Sequence, residues 1–174
     1  TITSWGQDHE VDAYRNMLRQ FPTGIVAVVS DSYDITNACH LWGTTLKDEV
    51  MNRDGRLVVR PDSGVPHEVV LEVVEILWSY YGGTTRNVNG NQYRILDPHI
   101  RVIQGDGVDI VSAEKVLQVL EKNGFAADNV VFGMGGALLQ KLNRDTYDFA
   151  FKCSSIVVDG NRQDVFKNPK HMSS

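Results

Sequence analysis

The chain has only two cysteines, Cys39 and Cys153, and they stand at no metal-ligand spacing. With no secretory features around them, both are expected to be reduced and buried. The five histidines (His9, His40, His67, His99 and His171) are scattered without an HxH or HExxH pattern, so no zinc site is expected. No apolar run approaches the ~20 residues of a membrane span, and the start lacks the basic-then-apolar pattern of a signal peptide. The expected compartment is the cytoplasm. An excess of positive charge is missing too: a net charge of −5 gives no general affinity for nucleic acid or an anionic membrane. What remains is ordinary for a globular protein. With 42% hydrophobic and 22% charged residues the composition argues against disorder, and 174 residues make about one domain.

The first residue is not methionine, and Thr1-Ile2-Thr3-Ser4-Trp5 reads like the middle of a structured segment. The other end, from Asn168 onward, trails off in polar residues. The expectation is one partial domain, residues 1–174, of a longer chain.

Apolar spacing predicts a helix over residues 8–21, where Val11, Tyr14, Met17 and Leu18 share a face. Pro22-Thr23-Gly24 ends it, and the β-branched run at 25–29 reads as a buried parallel strand. Helical stretches follow over 34–42 and 46–51, with a second strand over 56–60. The clearest long helix is 67–81, opened by Pro66 and stopped by Gly82-Gly83. Residues 84–92 are polar and turn-rich, a surface excursion. A third strand over 99–104 leads to a helix for which Ser112 is a candidate N-cap and Gly124 the left-handed stop. A fourth strand over 129–132 and a fourth helix over 137–144 complete the pattern, with strands expected over 149–153 and 155–158. Trp5, Trp42 and Trp78 read as packing residues.

Strand–loop–helix repeats spaced by ~25–40 residues mean parallel βα units. The expected fold class is α/β, part of an irregular (β/α) barrel with parallel strands and functional loops at the strand C-terminal ends. Four or five units make about half of a (β/α)₈ barrel, which needs ~250 residues. A small doubly wound sheet is the alternative.

Each strand ends in a polar cluster: Ser30-Asp31-Ser32, Arg60-Pro61-Asp62-Ser63-Gly64, Gly105-Asp106-Gly107-Val108-Asp109 and Gly133-Met134-Gly135-Gly136. Parallel α/β folds bind ligands at that end of the sheet. The glycine cluster opening a helix suits an anion, because backbone N–H groups and the helix dipole point at it. A tight turn needing positive φ explains it equally well. Arg144 is a second phosphate ligand or a solvated helix-end cation. The Arg60 fork matches phosphate oxygens, and Asp62 could accept ribose hydroxyls; an internal salt bridge bracing the loop is the competing reading. Asp106, between two glycines, lies where the chain can pass close to a ligand. Asp31 and Asp34 could both be helix N-caps, a role favoured for Asp34, and His9 is given no role. Carboxylates with arginine and a glycine cradle suit glycosyl transfer on a pyrophosphate-activated ribose, where carboxylates stabilise an oxocarbenium-like transition state.

These four clusters, together with Arg101-Val102-Ile103-Gln104, Leu138-Leu139-Gln140-Lys141-Leu142, Arg144-Asp145, Thr1-Ile2-Thr3 with Trp5-Gly6, and Phe151-Lys152-Cys153-Ser154, closely resemble the nicotinamide phosphoribosyltransferases of the type II phosphoribosyltransferase family. The similarity runs in order over essentially the whole chain. The resemblance implies an irregular α/β barrel and a homodimer. It implies transfer of phosphoribosyl from phosphoribosyl pyrophosphate to nicotinamide, giving nicotinamide mononucleotide and pyrophosphate in NAD biosynthesis. Magnesium assists, and ATP serves as an energy-coupling co-substrate through a phosphorylated histidine. Carried over by motif, Arg60 binds diphosphate, and Asp62, Gly105 and Asp106 contact the ribose. Gly135, Gly136 and Arg144 hold the 5′-phosphate side, and Asp31 is the acid near magnesium and pyrophosphate; Asp31 and Asp62 are the catalytic pair. No residue of this chain is assigned as a metal ligand. The family's phosphorylated histidine, its nicotinamide-stacking aromatic, its amide-reading aspartate and the tyrosine contributed across the dimer all precede the segment starting at Thr1, and a further basic segment follows it. The chain by itself is therefore expected to be inactive. Nicotinate phosphoribosyltransferase is a second reading, and a non-catalytic phosphate- or nucleotide-binding fragment a third.

Overall fold

A computed structural model describes residues 2–135, 146 and 153–165, which belong to two compact units, Thr1–Gln140 and Lys141–Ser174. In the first unit two 3-10 turns, Ile2–Trp5 and Gln7–His9, lead into helix α1 (Glu10–Gln20). Strand β1 (Thr23–Val29), helices α2 (Ile35–Gly43) and α3 (Lys47–Met51), strand β2 (Asp54–Arg60) and helix α4 (Pro66–Tyr81) follow. Then come strands β3 (Gly83–Val88), β4 (Asn91–Leu96) and β5 (Ile100–Gln104), helix α5 (Ile110–Lys122) and strand β6 (Val130–Phe132).

The four-stranded sheet has the order β1-β2-β5-β6, and every neighbouring pair is parallel. The order never reverses, whereas a doubly wound sheet turns back at a switch point. One face, formed by Val26, Val28, Leu57, Val59, Ile100, Val102 and Val130, merges into a single core with Tyr14, Trp42, Val70, Val73, Leu77, Val116 and Leu120 from the helices. On the other face Ile25 is 73% exposed and Val131 51% exposed. A parallel sheet with sequential order and its helices on one side is the wall of an α/β barrel, left open across these strands.

The helix boundaries follow from local chemistry. The Asp34 side chain accepts the Asn37 N–H at 3.0 Å and caps α2, as its position suggests. Helix α4 begins at Pro66 and stops at Gly82, where φ is 62°. Helix α5 is capped by Asp109 rather than Ser112: the Asp109 carboxylate takes the Ser112 N–H at 2.9 Å, and the Ser112 hydroxyl accepts the Asp109 N–H at 2.9 Å. The cap lies one turn before the expected residue, and Ser112 is its reciprocal partner.

The excursion over 84–92 is regular structure. Strands β3 and β4 form an antiparallel hairpin around Asn89-Gly90, with φ of 51° and 87°, the geometry an Asn-Gly pair favours. Buried Asn129 clamps it, accepting the Leu96 N–H at 2.8 Å and donating to the Arg94 carbonyl at 2.8 Å. In the second unit β7 (Ser155–Val158) is confirmed, but it pairs antiparallel with β8 (Asn161–Asp164) in a sheet of its own. Of the strand expected over 149–153 only Cys153 is described, and it lies outside any strand; the helix expected over 137–144 lies outside the described residues. Two packing expectations fail: Cys39 is buried but Cys153 is exposed, and Trp42 is buried while Trp5 is 42% exposed. Among the described residues, no helix is long and apolar enough to cross a membrane.

Candidate functional site at the strand C-terminal ends

Parallel register brings the polar clusters to one end of the sheet. Val29 pairs with Arg60 across β1 and β2, Val59 with Val102 across β2 and β5, and Gln104 with Phe132 across β5 and β6. The residues that follow, Asp31, Asp62, Gly105, Asp106 and Gly133 to Gly135, therefore share one mouth.

Close contacts tie all four of these loops together. Asp31 Oδ2 accepts the Asp62 backbone N–H at 2.7 Å and the Ser63 hydroxyl at 2.6 Å, so the β1 carboxylate shapes the β2 loop. Asp31 is thus a loop brace and not a helix cap. Arg60 donates from Nε (3.0 Å) and Nη2 (2.7 Å) to the single oxygen Asp62 Oδ1. The internal salt bridge is real, yet the two side chains are 36% and 42% exposed, and an ion pair so open to solvent contributes ~0–1 kcal/mol to stability. It is better understood as holding the guanidinium in place. The Arg60 guanidinium also lies across Gly105: a Cβ there would sit 3.4 Å from Arg60 Cζ. Gly105 in turn faces Gly133, where a Cβ would come within 3.3 Å of the Gly105 Cα, and the Gly133 N–H donates to the Gln104 carbonyl at 2.8 Å.

The glycines thus have separate reasons. Neither Gly133 nor Gly135 has positive φ, so the tight-turn explanation does not apply to them. Gly133 packs closely on Gly105, so that an added Cβ would have to push its neighbour aside by a few tenths of an ångström, and the position of a Cβ at Gly135 is open space, which leaves its backbone accessible to a ligand. Asp106 is exposed at the rim, followed by Gly107 with φ of 57°. Gly136 and Arg144, the other expected phosphate-side residues, lie outside the described residues. His9 is exposed and pairs loosely with Asp12 at 3.5 Å, so it takes no part. Ser63 and Gly133 lie inside the motifs but the sequence assigns them no role; a hydroxyl directly before a positive-φ glycine gives no sequence signal for the carboxylate it meets 32 residues upstream.

Among the described residues no group of three or more His, Cys, Asp or Glu side chains is gathered for a metal ion. The hydrogen bonds of Asp31 run through Oδ2 and those of Asp62 through Oδ1, so each carboxylate keeps one oxygen outside the loop's own bonding. That donor set fits magnesium, which is commonly held by one or two carboxylates together with waters and substrate phosphate oxygens.

The profile of the "Nicotinate phosphoribosyltransferase (NAPRTase) family" matches residues 1–174. A protein of Xanthomonas campestris named nicotinamide phosphoribosyltransferase is 54% identical over 172 residues, covering 97% of this chain and 36% of that protein. Proteins of the same name from Acinetobacter baylyi (31% identical over 183 residues, 94% of this chain and 36% of that protein) and Mycoplasma pneumoniae (32% over 177 residues, 94% and 39%) are also similar. The chain spans between 36% and 39% of the length of these relatives.

Proposed function

The chain belongs to the nicotinate phosphoribosyltransferase family, and we propose that it supplies the ribose-phosphate half of a nicotinamide phosphoribosyltransferase active site. The complete enzyme transfers phosphoribosyl from phosphoribosyl pyrophosphate to nicotinamide. The anomeric C–O bond to pyrophosphate breaks and a C–N bond to the pyridine nitrogen forms. Nicotinamide mononucleotide and pyrophosphate are the products. One observation carries this reading: a single sheet end presents Asp31, the Arg60–Asp62 pair, Gly105 and the open backbone at Gly135 side by side.

The roles follow from chemistry. Arg60 offers charged N–H groups to the departing diphosphate, where negative charge develops. Asp62 and Asp106 accept ribose hydroxyls and stabilise positive charge growing on the sugar. The glycine backbone at 133–135, with Gly136 and Arg144 beyond it, receives the 5′-phosphate. Asp31 fixes the β2 loop and lies beside the diphosphate. Magnesium, held by Asp31 and Asp62, would supply further charge neutralisation to the pyrophosphate. ATP as an energy-coupling co-substrate, homodimeric assembly and a cytoplasmic location belong to the same proposal.

A second base is supported by the family's own description, which names nicotinate. The full-length protein, incubated with phosphoribosyl pyrophosphate and either base, separates the two readings by the mass of its product. Nicotinamide mononucleotide is expected; the acid mononucleotide alone would favour nicotinate, and no nucleotide from either base would overturn the proposal.

A further inference from the structure

Beneath the mouth a buried polar chain connects helix α1 to the loop after β1. Glu10 is 5% exposed and Ser30 fully buried. The Tyr14 hydroxyl lies 2.9 Å from Glu10 Oε1 and 3.3 Å from the Ser30 carbonyl oxygen. The Ser30 N–H donates to the Arg60 carbonyl at 2.9 Å. Its hydroxyl donates to the Val28 carbonyl at 3.0 Å and accepts the Trp42 indole N–H at 3.1 Å. Tyr14 and Trp42 stack with ring centroids 4.4 Å apart. Every polar group of Ser30 is engaged, and the next residue is Asp31.

A phenol has one proton, and here two oxygens compete for it. With Glu10 ionised, Tyr14 can donate to the carboxylate or to Ser30, but not fully to both; the other contact becomes a buried pairing of lone pairs. With Glu10 in its neutral acid form, the acid donates to the phenol oxygen and the phenol donates to the Ser30 carbonyl. Both contacts are then hydrogen bonds. The surroundings push in that direction. Burial pushes the Glu10 carboxyl above its ordinary value, Asp34 in the β1–α2 loop adds to the rise, and the Tyr14 hydrogen bond opposes it. Burial and Glu10 likewise push the Tyr14 hydroxyl upward. Among the described residues no cation contributes to the shift. Arg15 on the same helix is taken by Glu49 of α3 at 2.7 Å and by Asp12 at 3.1 Å. The preceding 3-10 turn offers Asp8 and His9, with His9 directed to Asp12. Neither β1 nor the Ile2–Trp5 turn has a titratable side chain, and Cys39 of α2 is a neutral buried thiol.

We propose that Glu10, in its neutral acid form, and Tyr14 are positioning residues that hold Ser30, and through it Asp31, in place under the ligand-facing loops. The functional arm of this inference rests on the phosphoribosyltransferase reading above; the structural arm does not. Three measurements on the full-length protein test it, using Tyr14→Phe and Glu10→Gln. Infrared spectra at neutral pH are expected to contain a protonated-carboxyl band that disappears in Glu10→Gln. The amide of Glu10→Gln can still donate to the Tyr14 oxygen, so Ser30 amide exchange and magnesium-pyrophosphate affinity are expected to stay close to wild type. Tyr14→Phe leaves the Ser30 carbonyl unpaired. It is expected to speed Ser30 amide exchange relative to Val58 and to weaken pyrophosphate binding about two- to tenfold. A pair that served only general stability would show no such band and would slow or speed Ser30 and Val58 together. Absence of the band, or unchanged relative exchange at Ser30 in Tyr14→Phe, overturns the inference. Wild-type protein that fails to bind pyrophosphate would count against the functional reading, while the band and the exchange would still decide this one.

Discussion

Replacing Asp62 by alanine in the full-length protein separates ligand binding from folding. The contacts that shape the loop around Asp62 do not involve its side chain: its backbone N–H donates to Asp31 Oδ2 at 2.7 Å, and the Ser63 hydroxyl donates to the same oxygen at 2.6 Å. Both survive the substitution. What disappears is the carboxylate and its pair with Arg60, whose side chains are 36% and 42% exposed. Such a pair contributes ~0–1 kcal/mol, so the unfolding midpoint is expected to move by no more than about 4 °C. A ligand ribose, in contrast, loses a hydrogen bond to a charged group, ~1.5–3 kcal/mol or about ten- to a hundredfold in affinity. The loss is specific to the sugar. Calorimetry without magnesium should show nicotinamide mononucleotide bound about ten- to a hundredfold more weakly by Asp62→Ala, while metal-free pyrophosphate, which meets a freed Arg60, is bound no more weakly than before. Arg60→Ala should show the reverse preference and lose pyrophosphate. A folded Asp62→Ala protein with unchanged affinity for the mononucleotide would refute the assignment of Asp62 to the ribose.

Cys39 is buried, and burial pushes its thiol up to about 12, whereas Cys153 is exposed; a thiol-reactive dye at pH 8 should label Cys153 in the native protein and Cys39 only after unfolding. Gly55→Ala would place a Cβ 2.0 Å from the Gly24 carbonyl oxygen, between paired strands β1 and β2. Denaturant titration should register a loss of about 1–3 kcal/mol, and an unchanged midpoint would mean the two strands separate freely there. Because the folded Glu10 carboxyl titrates above its ordinary value of 4.5, the native state holds its proton longer than the unfolded chain. Its contribution to stability is full below that value and is lost as pH rises through the folded value. Thermal unfolding should show this decline in wild type and a flatter profile in Glu10→Gln; identical profiles would place Glu10 in ordinary solvent.

Much of the scaffold was legible because it is written in short-range patterns. The β-branched runs ending at Val29 and Val59 and the apolar stripe from Val70 to Leu77 each declare their own element. The gathering of Asp31, Asp62 and Gly105 at one mouth followed from topology alone, since parallel strands must all end on the same side. The β3–β4 hairpin is not legible in the sequence because its strands, with residues such as Thr84, Thr85, Arg86 and Asn87, carry no apolar alternation; only Asn89-Gly90 announces it. The N-cap of α5 is ambiguous in the sequence because Asp109 and Ser112 are both good capping residues and only the backbone geometry ranks them. The Glu10–Tyr14–Ser30 chain was invisible for a different reason. Glu10 on a helix start looks like a solvated carboxylate, and nothing local reveals that the β1 loop closes over it. The exposure of Cys153 has no sequence signal, because no periodic segment surrounds it.

The most direct test is a crystal structure of the full-length protein with nicotinamide mononucleotide and magnesium pyrophosphate. The account predicts pyrophosphate oxygens within hydrogen-bond distance of the Arg60 guanidinium, ribose hydroxyls on Asp62 beside Gly105, and the 5′-phosphate over the backbone at Gly135. A nucleotide bound at the N-terminal ends of the strands, or in the groove formed by Val88, Leu117 and Phe125, with the Arg60–Asp62 mouth empty, would contradict it.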